Sequence, residues 1–375
     1  VRNSEWFITD PLGGLADADW DEMAGGRFYS SAFWLRLVAL EPGPPPGGLH
    51  VAVPGGGRAA VPVAAVEDAC ALDNPHLRWT SLLAERGLPS PPARGLLVGQ
   101  RRGYLAHLLR TPGTDPVAAA SAVVEAVRSA AQTAVALYLT TEDALTLRAA
   151  GLDTVPVALA ADAWTEIPPG GWDEWLERAS RRSRYRRRRE VKLFEDAGYR
   201  VEHHPLPEVY EHVGRLTART QARYGIDADP EQYVEAFRKH AELAGDRAEV
   251  LLAAVGDEEP VGCCLYMRDG DTVYVRAVGF DYDRLRDAAE YANLDVYQLA
   301  RLPGVRWLHA GIGSTEGKAV HGAELRPLWL VDLSADSPLL GRDDEVRAHN
   351  SAFHAELTGN EATAKALSPD WGTFS

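Results

Sequence analysis

Three cysteines among 375 residues, Cys70, Cys263 and Cys264, are too few and too unpatterned for a disulfide framework. The adjacent pair falls inside an apolar strand pattern, where neither a bridge between neighbours nor a metal knuckle is expected, so these read as structural thiols. The histidines form no HExxH or HxxEH spacing, which removes the usual zinc signatures and leaves no metal expected. No uninterrupted apolar run approaches the roughly 20 residues needed to cross a bilayer. The opening residues, VRNSEWFITD, lack the basic start and apolar core of an export signal, so a soluble cytoplasmic protein is expected. Basic charge is scarce as well: 39 Lys and Arg stand against 54 Asp and Glu, a formal net charge of −15. At that charge a generic nucleic-acid or membrane binder is disfavoured, no DNA partner is expected, and any polyanionic partner must meet a local basic feature.

What is present supports ordinary globular cores, since 46% of the residues are hydrophobic. The length exceeds what one core usually supports, which predicts two domains, here 1–168 and 169–375. Asp10 to Leu40 reads as a helical opening that buries Phe28, Phe33, Trp34 and Val38 on one face. After the loop EPGPPPGG come two strands, Leu49 to Pro54 and Arg58 to Val66, joined by three glycines in a hairpin signal. Strands near Gly95 to Val98 and Tyr104 to Leu109 precede a helix from Asp115 to Ala131, whose Asp-Pro start fits a cap followed by proline. Strand Ala134 to Thr140, helix Glu142 to Ala150 and strand Val155 to Leu159 complete the half.

The second half repeats this order. Glu249 to Val255, Pro260 to Arg268 and Thr272 to Phe280 read as strands, and a helix runs from about Arg284 to Leu302. The stretch Gly304 to Asp332 then gives a strand (Val305 to Gly311), a glycine-bounded turn, a short helix with Glu316 and Lys318, and a strand (Pro327 to Leu333). Set beside residues 136–152, it shows a short internal repeat with Thr141-Glu142 opposite Thr315-Glu316 and Ala144 opposite Lys318. The second copy has Lys318 where the first has Ala144, which points to the second module as the catalytic one and the first as scaffold.

Between the halves, Trp172, Trp175, Leu176 and Ala179 form a helical apolar stripe that lapses through Arg181–Arg189 and resumes at Val191, Leu193 and Phe194. This reads as one helix, 172–196. Like charges three or four residues apart each cost about 0.2–0.5 kcal/mol, so the arginines require acidic partners or a bound anion. Arg181, Arg182, Arg184, Arg186, Arg187, Arg188 and Arg189 therefore form a candidate phosphate-binding comb.

The order strand hairpin, strand, helix, strand, helix, strand resembles the GNAT acyltransferase module. Its duplication, with an arginine-rich helix between the copies and a second-copy G…K…GAEL segment, resembles the FemABX-like group. The resemblance implies an α/β protein of two GNAT-like modules packed side by side, each a mixed, mainly antiparallel sheet flanked by helices. It also implies transfer of an amino acid from aminoacyl-tRNA to the amine of a small molecule or peptide, with no cofactor; other tandem GNAT proteins use acyl-CoA as co-substrate. A CoA-using module is expected to carry a Gln/Arg-x-x-Gly-x-Gly/Ala loop, whose backbone N–H groups close around pyrophosphate. Here Arg284-Leu285-Arg286-Asp287-Ala288-Ala289 stands there, and Asp287 puts a negative charge where phosphate oxygens should sit.

Aminolysis of an activated ester needs a donor for the developing oxyanion and an acceptor for the amine proton. Lys318 is the candidate donor, because the family's functional lysine falls in this segment. His309, which shares strand parity with Val305 and Trp307, and Asp281, at the end of the central strand, are candidate bases or amine-orienting groups. Arg276 and Tyr274 on that strand, with Glu316 and His321, complete the expected substrate-binding set.

Overall fold

A computed structural model of the chain describes residues 10–256, 258–285 and 291–375. Two compact units emerge, one running to Asp162 and resuming as Leu325–Ser375, the other Ala163–Glu324. The first crossing lies six residues before the expected boundary after 168. The C-terminal residues 325–375, expected in the second module, cluster with the first unit instead.

The first unit opens with two short helices, α1 (Asp17–Ala24) and α2 (Ala32–Ala39), rather than one continuous helix; Gly25, in the left-handed conformation, ends α1. A hairpin follows, β1 (Pro46–Ala52) and β2 (Arg58–Val66), then α3 (Trp79–Ala84) and β3 (Gly95–Val98). The strand expected over 104–109 is reduced to β4 (Leu109–Arg110), beside β2. Helix α4 (Pro116–Ala130) is capped by Asp115, as its sequence predicts, and leads to β5 (Ala134–Leu139), α5 (Thr141–Ala149) and β6 (Val157–Glu166). The strand β3 runs parallel to β5, as a strand–helix–strand crossover requires. Trp20, Trp34, Trp79, Trp329 and Trp371, none more than 1% exposed, anchor the core.

The second unit holds α6 (Gly171–Arg178), α7 (Arg181–Asp196), β7 (Tyr199–Pro205), α8 (Leu206–Arg223), α9 (Pro230–Ala244), β8 (Ala248–Val255), β9 (Gly262–Asp269), β10 (Thr272–Phe280), β11 (Trp307–Gly311) and α10 (Thr315–Val320). Its sheet runs β11-β10-β9-β8-β7, antiparallel except for the parallel pair β10 and β11. The expected helix 284–302 lies partly outside the described residues; within them the chain makes a π turn at Asn293–Tyr297 and a 3-10 turn at Leu299–Arg301. Gly279 on β10 lets α8 approach closely, because a Cβ there would lie 2.5 Å from the Leu216 carbonyl carbon.

Both units therefore contain a hairpin, a third strand, a parallel strand and a short helix opening on the paired threonines Thr141 and Thr315. The closing strands do not stay with their own repeat. Ala163–Glu166 of β6 pairs with β11, and β12 (Glu324–Asp332) pairs with β5. The helices α11 (Asp343–Thr358) and α12 (Glu361–Ala366) follow β12 in the first unit. Strand exchange is why the sequence repeat and the compact units have different boundaries.

Candidate active site

The strands β10 and β11 hydrogen-bond only over Thr272–Tyr274 and Trp307–His309. Beyond that, β10 continues to Phe280 beside β9 alone, with a bulge between Val275 and Ala277 that takes Arg276 out of register. A bulge leaves its extra residue outside the ladder and re-aims the local backbone. Parallel strands that part at their carboxyl ends make a crevice of the kind in which α/β sheets bind ligands.

Lys318 sits at the end of β11. Its Nζ donates to the carbonyls of Ala310 at 2.7 Å, Gly311 at 2.9 Å and Ile312 at 2.8 Å. An ammonium has three N–H donors, and all three are occupied by backbone. In this arrangement Lys318 holds the turn Ala310–Ser314 in shape, and an oxyanion would have to displace a carbonyl to reach it. The turn needs such a clamp: Gly311, Gly313 and Ser314 all have left-handed φ, and Ser314 (φ 47°) carries a Cβ there.

His309 is fully buried, with ring centroids of Trp164 at 4.5 Å and Tyr274 at 5.6 Å; Trp307 extends this aromatic cluster. Tyr274 is buried beside it, and Arg276 is half-buried at the bulge. Asp281 is engaged elsewhere: its carboxylate accepts from Arg219 Nη1 at 2.6 Å and from the Asp283 N–H at 3.1 Å, closing the turn after β10. Glu316 is exposed on α10. Arg286 and Asp287, from the segment that stands in place of a CoA loop, lie outside the described residues.

His321 joins a polar network that no local sequence pattern announces. Its Nδ1 lies 2.7 Å from the Gly317 carbonyl and its Nε2 3.5 Å from Glu190, which also accepts the Tyr297 hydroxyl proton. Burial pushes the Glu190 carboxyl up, but hydrogen bonds from His321 and Tyr297 outweigh it and hold the group below its ordinary value. Close by, burial raises Asp295 to about 6 against the pull of His321 and Lys318, and its Oδ1 is buried with no hydrogen-bond partner among the described residues. A lone acid in the apolar run YANLDVYQLA is the signal that could have found it.

A raised carboxyl pKa means the folded state holds the proton more tightly than the unfolded chain. Stability from this group is therefore full below about 4, declines as pH rises to about 6, and stays reduced above that. Asp295→Asn is expected to gain about 1–3 kcal/mol at pH 7.5 over the native protein and nothing at pH 4. Urea midpoints at the two pH values check this; equal differences at both would clear Asp295 of the effect.

The expected single helix 172–196 is two, α6 and α7, and the arginine run, wholly on α7, does not form a single comb. Ser180 stands between the two helices, its Oγ accepting from the Ser183 N–H at 3.2 Å to cap α7. Arg184 donates to the Glu177 and Ala179 carbonyls, and Arg186 to Val320. Arg187 is buried over the Trp175 ring, 3.4 Å from its centroid, and burial lowers its pKa to about 10. Arg181, Arg182, Arg188 and Arg189 are exposed, with no ion pair among the described residues.

In the first unit the corresponding crevice is filled by the chain itself. Ala106 donates its N–H to the Tyr138 carbonyl at 2.9 Å, and its Cβ lies 3.0 Å from where Gly99 would carry one. Tyr104 and Tyr138, both with left-handed φ, frame this plug.

Residues 179–319 match the acetyltransferase (GNAT) domain family. That match lies within the second unit and supports an acyltransferase. Among solved structures, the acyltransferase shares its fold with FemX at 14% identity and a TM-score of 0.54, covering 87% of this chain and 98% of that one. A conserved protein from Bacteroides thetaiotaomicron aligns at 11% identity and a TM-score of 0.56, over 86% and 99% of the two chains. At these identities the likeness is one of fold. No curated protein sequence matches the acyltransferase. Among its described residues no helix is long and apolar enough to cross a membrane.

Proposed function

We propose that the protein transfers an aminoacyl group from aminoacyl-tRNA to the amine of a small molecule or peptide, forming an amide. The observation that carries this reading is the exposed face of α7. Four arginines without carboxylate partners among the described residues, in a chain of net charge −15, form a local seat for a polyanion. The FemABX-like resemblance of the sequence supports the same donor, and such a donor places the reaction in the cytoplasm.

In this reading the reaction is carried by the second unit. The amine attacks the ester carbonyl, the electron pair moves to its oxygen, and the ribose oxygen leaves with a proton. The bulge at Arg276 re-aims the β10 backbone and bounds one side of the place where the carbonyl oxygen is received in this reading. Lys318 is a positioning residue that fixes the opposite wall of the crevice. The plugged crevice of the first unit supports its role as scaffold.

The test is to offer a candidate amine with either charged tRNA or acyl-CoA. Product that survives ribonuclease, or that needs only the thioester, would replace tRNA by CoA as donor. Replacing Arg181, Arg182, Arg188 and Arg189 with serine should weaken tRNA binding and lower the slope of log K against log salt by roughly 0.7–0.9 for each phosphate that is no longer neutralised. An unchanged slope would return that face to plain solvation.

A further inference from the structure

Helix α7 presents one more group on its basic face. At 100° per residue, Arg188, Arg181, Tyr185, Arg189 and Arg182 fall in that angular order within an arc of about 120°, with Tyr185 near its middle. The opposite side of the helix, carrying Arg187, Val191 and Phe194, is buried. Tyr185 is 70% exposed. No aromatic ring among the described residues packs on it, and it is the most exposed large hydrophobic side chain described in the chain. Solvating arginines need no ring among them. A flat ring flanked by cations along about 12 Å of helix suits a strand that offers both phosphates and unstacked bases.

We propose that Tyr185 stacks on an unpaired base of the bound RNA while the flanking arginines hold its phosphates. This rests on the tRNA reading above and assigns it a binding site: a single-stranded segment, read by ring stacking and not by base edges. An anionic membrane surface is the less suitable partner. The apolar side of α7 is already buried against the protein, so the helix has no apolar face to insert.

The experiment compares Tyr185→Ala and Tyr185→Phe with the native protein on three probes: an oligoadenylate, an abasic oligonucleotide of equal length, and phosphatidylglycerol vesicles. Tyr185→Ala is expected to weaken oligoadenylate binding roughly 5- to 100-fold, with abasic binding and the salt slope unchanged. Tyr185→Phe should bind as the native protein does. Equal oligoadenylate affinity for native protein and Tyr185→Ala overturns the stacking role and leaves the tRNA reading standing. Equal losses on oligoadenylate and abasic probes also overturn it, because a stack needs bases. Loss of vesicle binding with oligoadenylate binding intact assigns the ring to a lipid surface and overturns it. A native protein that binds neither oligoadenylate nor tRNA ends both readings together.

Discussion

Lys318→Ala is expected to abolish most turnover and to cost about 2–4 kcal/mol of stability. The side chain is partly buried and closes three carbonyls at 2.7–2.9 Å. Hydrogen bonds to a charged group contribute about 1.5–3 kcal/mol each, and water can replace some of them once the ammonium is gone. What water cannot replace is the shape of the Ala310–Ser314 turn, where Gly311, Gly313 and Ser314, all left-handed, depend on one clamp. Urea denaturation and turnover, measured on the same preparation, separate the alternatives. Loss of both supports a positioning role. Lost turnover with native stability would mean that Lys318 acts on the substrate directly, and near-normal turnover would remove it from the site altogether.

Arg187→Ala should destabilise the protein by about 2–4 kcal/mol, whereas Arg188→Ala, one residue along, should leave stability unchanged. The Arg187 guanidinium lies over the Trp175 ring, in the core cluster that also holds Val191 and Phe194, so its removal leaves a cavity and strips a ring of its partner. Arg188 is exposed to water. For tRNA the order should invert: Arg188→Ala weakens binding and its steepness in salt, while any effect of Arg187→Ala should track its loss of fold. Urea midpoints and binding titrations at two salt concentrations check both halves. Equal stability losses for the two variants would contradict the burial pattern of α7.

The division between these neighbours shows what a sequence can and cannot carry. That a helix covers the arginine run was legible, because Val191 and Phe194 recur at helical spacing. Its break from α6 was not marked by glycine or proline. The glycine-bounded turn after β11 and the lysine beyond it were legible, since they are local signals. The roles were not. His309 read as a candidate base and is enclosed by Trp164 and Tyr274; Asp281 read as another and is engaged by Arg219 from α8, 62 residues away in sequence. Glu190, Asp295 and Tyr297 come together only because α7, the π turn and α10 pack on one another, and no short window of sequence contains them.

By itself the sequence determined the class of the protein: few cysteines, alternating strand and helix periods, a duplicated element order, and a basic helix on an acidic chain. These follow from short-range steric and solvation rules that act within a few residues. Only the tertiary structure decided which strand closes which sheet, where β6 and β12 complete units other than their own repeat. It alone decided which arginines point to water, because the rotation of α7 is set by what its apolar side packs against. It also decided what Lys318 holds, since a flexible four-carbon stem carries no preference for one carbonyl until the fold brings three of them within reach.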